Sequence, residues 1–517
     1  MDEFSDPSWK IALLLRLPPG ARIALHGELA VSWEQSLASR GYRPVISPNG
    51  HAADCDAVLH FPGRTDTQPP PLRPLFASLG ERGQFFGLFR RRLSLFRGIR
   101  GALGNLVASD AVLQYICERE LRALSLDYSL WVPLPSLHGL EELAYAQNTA
   151  EVGASLGRGA GKSRLFRYFS DGFGVHASRK AGNGLAALLD VLQEKLRREG
   201  STPGNLHVAR FDLRARGALV LILGAGALEY DLVCRFGYAG ATRQQLQRHW
   251  DLQSALRADL LRDPAIARYI PRGIAQFDLD EYRGWIEERV VGTVSWRLPG
   301  KFRRHVEQQL LHFLAGVGRL AAAPRQASAE DLEAQLNLWA EQDSWESASL
   351  QEPLAAMREL LSRALRTEPF HYGWAHGDFG FGNAIVAAET GDLRGIIDWE
   401  TAGRAAPIGI DLFNLLLQRR LTSHRGNLAA VVAQLLDLIQ AGSLGTEIAG
   451  LGDFLARFLP SGRQQYVCFG LALYRWVRRE LRYAVAAGWS ADDLAGALRA
   501  FLGSGHAGAR HQASLQP

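Results

Sequence analysis

HYGWAHGDFGFGNAIVAAETGDLRGIIDWETAGRAAPIGIDL, residues 371–412, is the stretch on which the reading of this chain turns. Asp378 sits in the run His376-Gly377-Asp378, and Asn383 follows five residues later. A carboxylate and an amide oxygen on one tight loop can divide two tasks, orienting a hydroxyl and binding a metal ion. Two short apolar runs, 384–387 and 393–397, flank the turn Thr390-Gly391-Asp392, which predicts a β-hairpin that delivers Asp398 at its end. Asp398 is then the natural second metal ligand. The competing reading has Asp378 capping a turn and Asp398 bonding backbone amides, as acidic loop residues commonly do. His376 reads as a loop residue whose imidazole bonds backbone near Asp398, with a second base as the alternative. Trp399 and Glu400 support the loop, and Asp411 reads as a helix cap first and a site residue second.

Upstream, the pattern changes at about residue 206. Strands are expected at 207–213, 218–223 and 230–236, then a helix over 242–261 and a strand over 282–290. Beyond residue 300 the chain reads as helical, apart from the glycine-dense segment 373–403. A small β-rich lobe followed by a larger helical lobe is the outline of a protein-kinase-like fold.

The segment 371–412 resembles the H-G-D-x-x-x-x-N catalytic loop and the I-D-W-E metal-binding segment of the aminoglycoside phosphotransferase and choline kinase family, over roughly residues 206–517. The resemblance implies an ATP- and Mg²⁺-dependent kinase that phosphorylates a small-molecule hydroxyl, of a sugar, an amino alcohol or an aminoglycoside-like acceptor. Asp378 would be the catalytic base, and Asn383 and Asp398 would hold Mg²⁺. On the third strand, Arg235 stands where the family has a lysine for the ATP phosphates; it keeps the charge as a planar fork. The next helix carries His249 and Trp250 where the partner glutamate is expected, with Asp251 as a substitute. Residues 282–292 are similar to the family's hinge, so backbone at Glu288 and Val290 would meet the adenine edge. Gly217 would let the first turn lie over the phosphates. The departures at Arg235 and in the helix leave a second reading open, a pseudokinase-like module that binds nucleotide without transfer. For a cationic acceptor the acidic candidates are Glu341, Asp343 and Glu346, which a solvated helix face explains equally well.

The amino-terminal third opens as a βαβ unit, with strands at 22–26, 44–47 and 57–61 and a helix at 32–40, the signature of an open parallel sheet. Helical segments are expected around 83–103 and 106–124, and strands at 128–134 and 165–179. This order resembles an S-adenosylmethionine-dependent methyltransferase domain. Its chemistry is reduced: the first turn, HGELAV, has Gly27 alone, and the second strand ends in Pro48 and Asn49 in place of an acidic residue. A domain kept for structure or recognition is expected. Residues 153–163 imitate a phosphate-binding loop, but only three residues separate Gly157 from Gly161, and a surface loop is the better reading.

The fold class is therefore multidomain, α/β plus α+β: a degenerate Rossmann-like domain over 1–182, a helical connector over 183–205, and a bilobal protein-kinase-like domain with a β-rich lobe over 206–297 and a helical lobe over 298–517. The length of 517 residues exceeds what one core usually supports. A formal net charge of +5 is too small over this length to imply nucleic-acid binding. The local basic run at 89–100 reads as an amphipathic helix with a solvated basic face. Cys55, Cys117, Cys234 and Cys468 lack paired metal or redox spacings and read as buried thiols. An acidic, polar amino terminus and the lack of a long apolar run predict a cytoplasmic protein with no membrane span. Oligomeric state is not encoded in any of these patterns.

Overall fold

The computed structural model describes residues 8–27, 30–46, 55–61, 79–90, 127–133, 144–146, 172–178, 185–201, 206–212, 218–224, 232–237, 240–261, 263–280, 282–336, 348–423, 427–487 and 489–513. The chain forms two compact units: Met1–Gln244 with Gly273–Arg289, and Gln245–Arg272 with Val290–Pro517. Each has its own hydrophobic core.

In the first unit the described elements are α1 (Ser8–Leu14), β1 (Arg22–Gly27), α2 (Ala30–Ser39), β2 (Arg43–Ile46), β3 (Cys55–Phe61), β4 (Leu79–Arg90), β5 (Asp127–Pro133), β6 (Ala144–Ala146), β7 (Gly172–Ser178), α3 (Leu185–Arg198), β8 (His207–Asp212), β9 (Ala218–Gly224), β10 (Leu232–Gly237), β11 (Gly273–Leu279) and β12 (Tyr282–Glu288). The opening βαβ pattern folds as expected: β1 pairs in parallel with β2 and β3, and β3 in parallel with β4. β7 then runs antiparallel between β4 and β5. All twelve strands join in one sheet, in the order β11-β12-β10-β9-β8-β6-β5-β7-β4-β3-β1-β2.

One expectation fails here. Residues 83–90 form part of strand β4 and not a helix. Glycine at positions 80, 83 and 87 weakens a helix, and pairing to β3 on one side and β7 on the other satisfies the backbone of an extended chain. Phe85 and Phe86 point to opposite faces and are both buried, as in a strand covered on both sides. The expected basic helix at 89–100 begins inside this strand, at Phe89 and Arg90, and the rest of it lies outside the described residues, as do 106–124 and 153–163. Strand β11 had no counterpart in the sequence reading. It pairs antiparallel with β12.

Helix α3 supplies the layer over one face of β8–β12. Leu188, Leu192 and Leu196, spaced one helical turn apart, are fully buried in the same core as Leu219, Leu221, Leu223, Leu232, Cys234 and Phe236. Alternation along the strands then places Val220, Ile222, Val233, Arg235, Trp285 and Glu287 on the opposite face, where register brings Arg235 opposite Val220 and Trp285.

The second unit is mainly helical: α4 (Gly240–Leu260), α5 (Pro264–Ala267), β13 (Thr293–Val294), α6 (Arg303–Gly318), α7 (Ala329–Leu336), α8 (Ala348–Thr367), β14 (Tyr372–Ala375), β15 (Ala384–Val386), β16 (Leu393–Ile396), β17 (Gly403–Pro407), α9 (Gly409–Ser423), α10 (Leu428–Gln440), α11 (Leu451–Phe458), α12 (Gly462–Ala487) and α13 (Ala491–Ala513). The predicted hairpin is present, β15 pairing antiparallel with β16, and Gly391 takes a φ of 77° at its turn. Among the described residues no helix is long and apolar enough to cross a membrane. Cys55, Cys234 and Cys468 are buried, and Cys117 lies outside the described residues.

Helix α7 begins with a reciprocal cap. Ser328 Oγ accepts from the Asp331 amide at 3.1 Å, and the Asp331 carboxylate accepts from the Ser328 amide at 2.8 Å. Arg325 pairs with the same carboxylate, and the guanidinium, with the Ser328 bonds, holds the Asp331 pKa down at about 2. An unfolded aspartate titrates near ~3.9, so the folded state favours the ionised form; this stabilisation is complete above about pH 4 and is lost as pH falls from there towards 2. Because the Arg325 side chain is 44% exposed, about 1–2 kcal/mol is expected. Asp331→Asn should lower the midpoint of thermal unfolding at pH 7 by a few degrees and flatten its dependence on pH between about 4 and 2, read by circular dichroism.

Candidate active site

Residues 376–381 owe their position to one helix. Along α9, residues 410, 412, 413, 415, 416 and 417 are apolar and buried, while Asp411, Asn414 and Gln418 recur at i, i+3 and i+7 and so share one face. That face grips residues 376–381. The Asp411 carboxylate accepts the backbone N–H groups of His376 and Gly377, the latter at 2.8 Å. Asn414 Nδ2 donates to the Gly377 carbonyl at 3.1 Å, and Gln418 Oε1 accepts from the Phe381 amide at 3.0 Å. Gln418 packs so closely that a Cβ on Gly380 would lie 2.0 Å from its oxygen, and Gly377, at φ 82°, faces the Thr401 carbonyl at a distance that excludes a side chain. Both glycines are therefore fixed by close approach of neighbours.

His376 is fully buried beneath the loop, between Trp399 and Phe379. Its Nε2 lies 2.8 Å from the Ile397 carbonyl, so Nε2 carries the proton and Nδ1 accepts from the Asp378 amide at 3.3 Å. Burial pushes its pKa down, against the pull of Asp411 and the bond to Ile397. Burial likewise raises the Asp411 carboxyl, opposed by His376 and the two amide bonds. The imidazole is thus a neutral strut that links the loop to the residue before Asp398, as the sequence reading expected. Thr401 Oγ1 donates to the His376 carbonyl at 2.8 Å. Behind it Arg475, buried and with its pKa lowered by burial to about 10, donates to the Thr401 carbonyl and to Gln335 of α7.

Asp378 itself is half-buried at the loop's surface. Asn383 Nδ2 donates to the Asp378 carbonyl at 2.9 Å, which leaves its Oδ1 as the outward acceptor. The Ile397 amide donates to the Asn383 carbonyl at 2.9 Å, so the end of β16 is fastened to the same loop. Asp398 follows with φ 63° and ψ 57°, the left-handed region that a non-glycine residue occupies at a cost. Beneath lies an aromatic layer, with Phe313 of α6 stacked on Phe379 at 5.8 Å and tilted against Trp399 at 6.3 Å. The structure thus brings Asp378, Asn383 and Asp398 into one hydrogen-bonded assembly.

Of the residues expected to hold nucleotide, Val290 lies in the same unit, its methyls close to Gly395 on β16. Arg235 and Glu288 lie on β10 and β12 of the first unit. Arg235 Nε donates to Glu287 Oε1 at 3.1 Å, so a carboxylate from the neighbouring strand partners the cation. Asp251 accepts instead from Gln247 of its own helix, at 2.8 Å. Gly217, Glu341, Asp343 and Glu346 lie outside the described residues.

Comparison with known proteins now bears on this geometry. Residues 219–451 match the model of the phosphotransferase enzyme family. The chain also resembles solved aminoglycoside phosphotransferases: a thermostable mutant of APH(4)-Ia in ternary complex with ADP and hygromycin B (13% identity, 61% of this chain and 98% of that one, TM-score 0.39) and APH(3'')-Id from Streptomyces rimosus (17%, 56% and 98%, TM-score 0.34). A third is the GDP complex of aminoglycoside 2'-phosphotransferase-IIIa (14%, 61% and 99%, TM-score 0.36). No curated protein matches the sequence.

Within the phosphotransferase span, sequence reasoning found the loop and missed most of what holds it. Asn414 and Gln418 escaped notice, although two amides at helical spacing beside Asp411 on an otherwise apolar helix were a usable signal. Arg475 gave none, since its partners lie 74 and 140 residues away. Removing Asp411 leaves two buried amides without an acceptor, at roughly 1–3 kcal/mol each. Asp411→Ala should therefore cost about 3 kcal/mol in urea unfolding, and Gln418→Ala about 1, the first also exposing the amides of 376–378 to rapid hydrogen exchange.

Proposed function

We propose that this protein transfers the γ-phosphate of ATP to a hydroxyl of a small molecule, with Asp378 as the catalytic base and Asn383 and Asp398 as the ligands of Mg²⁺. One observation carries the reading: Asn383 Nδ2 donates to the Asp378 carbonyl and the Ile397 amide donates to the Asn383 carbonyl, so Asp378, Asn383 and the residue before Asp398 belong to one braced loop and hairpin. The match of residues 219–451 to the phosphotransferase enzyme family model supports it.

The donor set suits Mg²⁺. Among the described residues no group of three or more His, Cys, Asp or Glu could cage a metal. One amide and one carboxylate oxygen is the sparse protein contribution that Mg²⁺ takes when substrate phosphates and water complete its octahedron. When bound, the ion would neutralise charge on the phosphates. The protein's own work is positional. Asp378 accepts the hydroxyl proton as the oxygen attacks; the neutral His376 strut and the Asp411 clamp hold the carboxylate still, and the Phe313 layer keeps water from beneath the loop.

Arg235, Glu288, Val290 and Gly217 are the residues we assign to the nucleotide within this proposal. The pairing of Arg235 with Glu287 favours, as a second reading, a pseudokinase-like module, because a guanidinium already engaged by a carboxylate has less to offer a phosphate. For residues 1–182 we propose a degenerate Rossmann-like, methyltransferase-like domain, with 183–205 as connector, 206–297 as the β-rich lobe and 298–517 as the helical lobe. Parallel β2-β1-β3-β4 support the Rossmann-like part. At the carboxyl ends of β1 and β3, where open sheets bind ligands, His26 and His60 face each other at 2.8 Å, an arrangement unlike a dinucleotide site. A cytoplasmic location remains part of the same proposal.

Asp378→Asn should lower turnover by at least about a thousandfold while ATP still stabilises the protein thermally in the presence of Mg²⁺. Near-normal turnover in that variant would remove Asp378 from the mechanism. ATP stabilisation of the unaltered protein with no phosphate transfer to any of a broad set of hydroxyl compounds would favour the second reading.

A further inference from the structure

A cavity of about 480 Å³ in the second unit is lined by Arg303 and Arg304 at the start of α6, Glu307 one turn on, Arg419 and Arg420 near the end of α9, and Glu447. Its two carboxylates orient three of the guanidinium groups. Glu307, almost fully buried, accepts from Arg303 Nε at 3.2 Å and from Arg419 Nε at 2.9 Å. Glu447 accepts from Arg419 Nη1 at 2.7 Å and from Arg420. Arg303 also donates to the Arg419 carbonyl at 2.7 Å.

A network that served only to bind α6 to α9 would be expected to balance its charges. This one does not: among the described residues that line it, four guanidinium groups face two carboxylates. Arg304 is exposed and pairs with no carboxylate among the described residues. Arg420 Nε is buried and has no acceptor, a donor that folding leaves unsatisfied at a cost. Pre-ordered, forked donors with an excess of positive charge around a cavity are the chemistry that recognises an oxyanion.

One side chain of the lining packs against the loop that carries Asp378. The Arg303 guanidinium lies 5.6 Å from the centre of the Phe381 ring, and Phe381 is three residues beyond Asp378. The Phe381 amide is held by Gln418, the residue before Arg419, and its carbonyl by Ser295 Oγ at 2.9 Å. Two residues of the lining, Arg303 and Arg419, thus adjoin the loop that carries the base, the first through the Phe381 ring and the second through its neighbour Gln418.

We propose that this cavity binds an oxyanion carried by the acceptor, so that the substrate is an anionic hydroxyl compound, a phosphomonoester or a carboxylate, and not a polycation. This inference rests on the phosphotransferase reading above. In the step it implies, the acceptor oxygen forms the new bond to the γ-phosphorus as the bond to the ADP oxygen breaks, the hydroxyl proton passing to Asp378 and then to water, while the acceptor's anionic group stays unchanged in the cavity.

The test compares phosphate transfer by the full chain to a neutral sugar, its sugar phosphate and the matching sugar acid, alongside calorimetric binding of inorganic pyrophosphate. Preference for either anionic acceptor by at least tenfold in kcat/KM is expected, and which of the two wins identifies the anion. Arg304→Ala, at an exposed position, should raise the KM for that acceptor about tenfold with the KM for ATP and the unfolding midpoint held. Arg420→Gln should do the same, and both should weaken pyrophosphate binding. Transfer to neutral and anionic acceptors with equal efficiency, or anionic transfer indifferent to Arg304→Ala and Arg420→Gln, overturns the anion site and leaves the phosphotransferase standing. Absence of transfer to every acceptor, with pyrophosphate binding unaltered by both substitutions, overturns both.

Discussion

The carboxylate of Asp411 closing on two consecutive backbone amides is the constraint from which the site is built. A helix deep in the second core can place a carboxylate within a few tenths of an ångström, because its apolar neighbours fix its rotation and depth. A loop cannot do this for itself. By accepting the His376 and Gly377 amides, α9 transfers the rigidity of the core to the segment that must hold Asp378. Asn414 and Gln418 extend the grip, and the imidazole of His376 passes it on to the hairpin and Asp398. Precision at the surface is borrowed from packing in the interior, and the left-handed backbone at Asp398 is affordable only because both of its neighbouring segments are held.

What the sequence disclosed follows from how local each feature is. The loop, the hairpin and the acidic residues lie within forty-two contiguous positions and depend on glycines, turn residues and alternation that a reader can see. The role of His376 was legible for the same reason: its partner is the backbone 21 residues on, across the hairpin it supports. Arg475 and Gln335 were not legible, since nothing but the tertiary fold brings them to Thr401. Strand β4 misled for a related reason. Its residues carry no strict alternation because both faces are buried, and its extended form comes from strands distant in sequence on either side.

Arg235 shows how a sheet can fix a charged side chain in place. The pairing carboxylate comes from Glu287 on the adjacent strand, two positions along the ladder from Trp285, where cross-strand side chains reach one another. A pair made inside a sheet is as rigid as the sheet. It cannot be opened by moving a helix, so the charge state and geometry of Arg235 are set once the strands have paired.

The continuity of the twelve-stranded sheet also says something about how the chain must be inherited and assembled. The pairing of β6 with β8 stitches strands of the amino-terminal third to the strands that follow α3, through backbone groups that carry no sequence information. A ladder of this kind lets either side drift in sequence while the seam persists. It also means that neither set of strands has a natural free edge at the seam: separating them would bare unpaired amides and carbonyls of the sort that recruit foreign strands. The first third thus serves its neighbour by covering an edge.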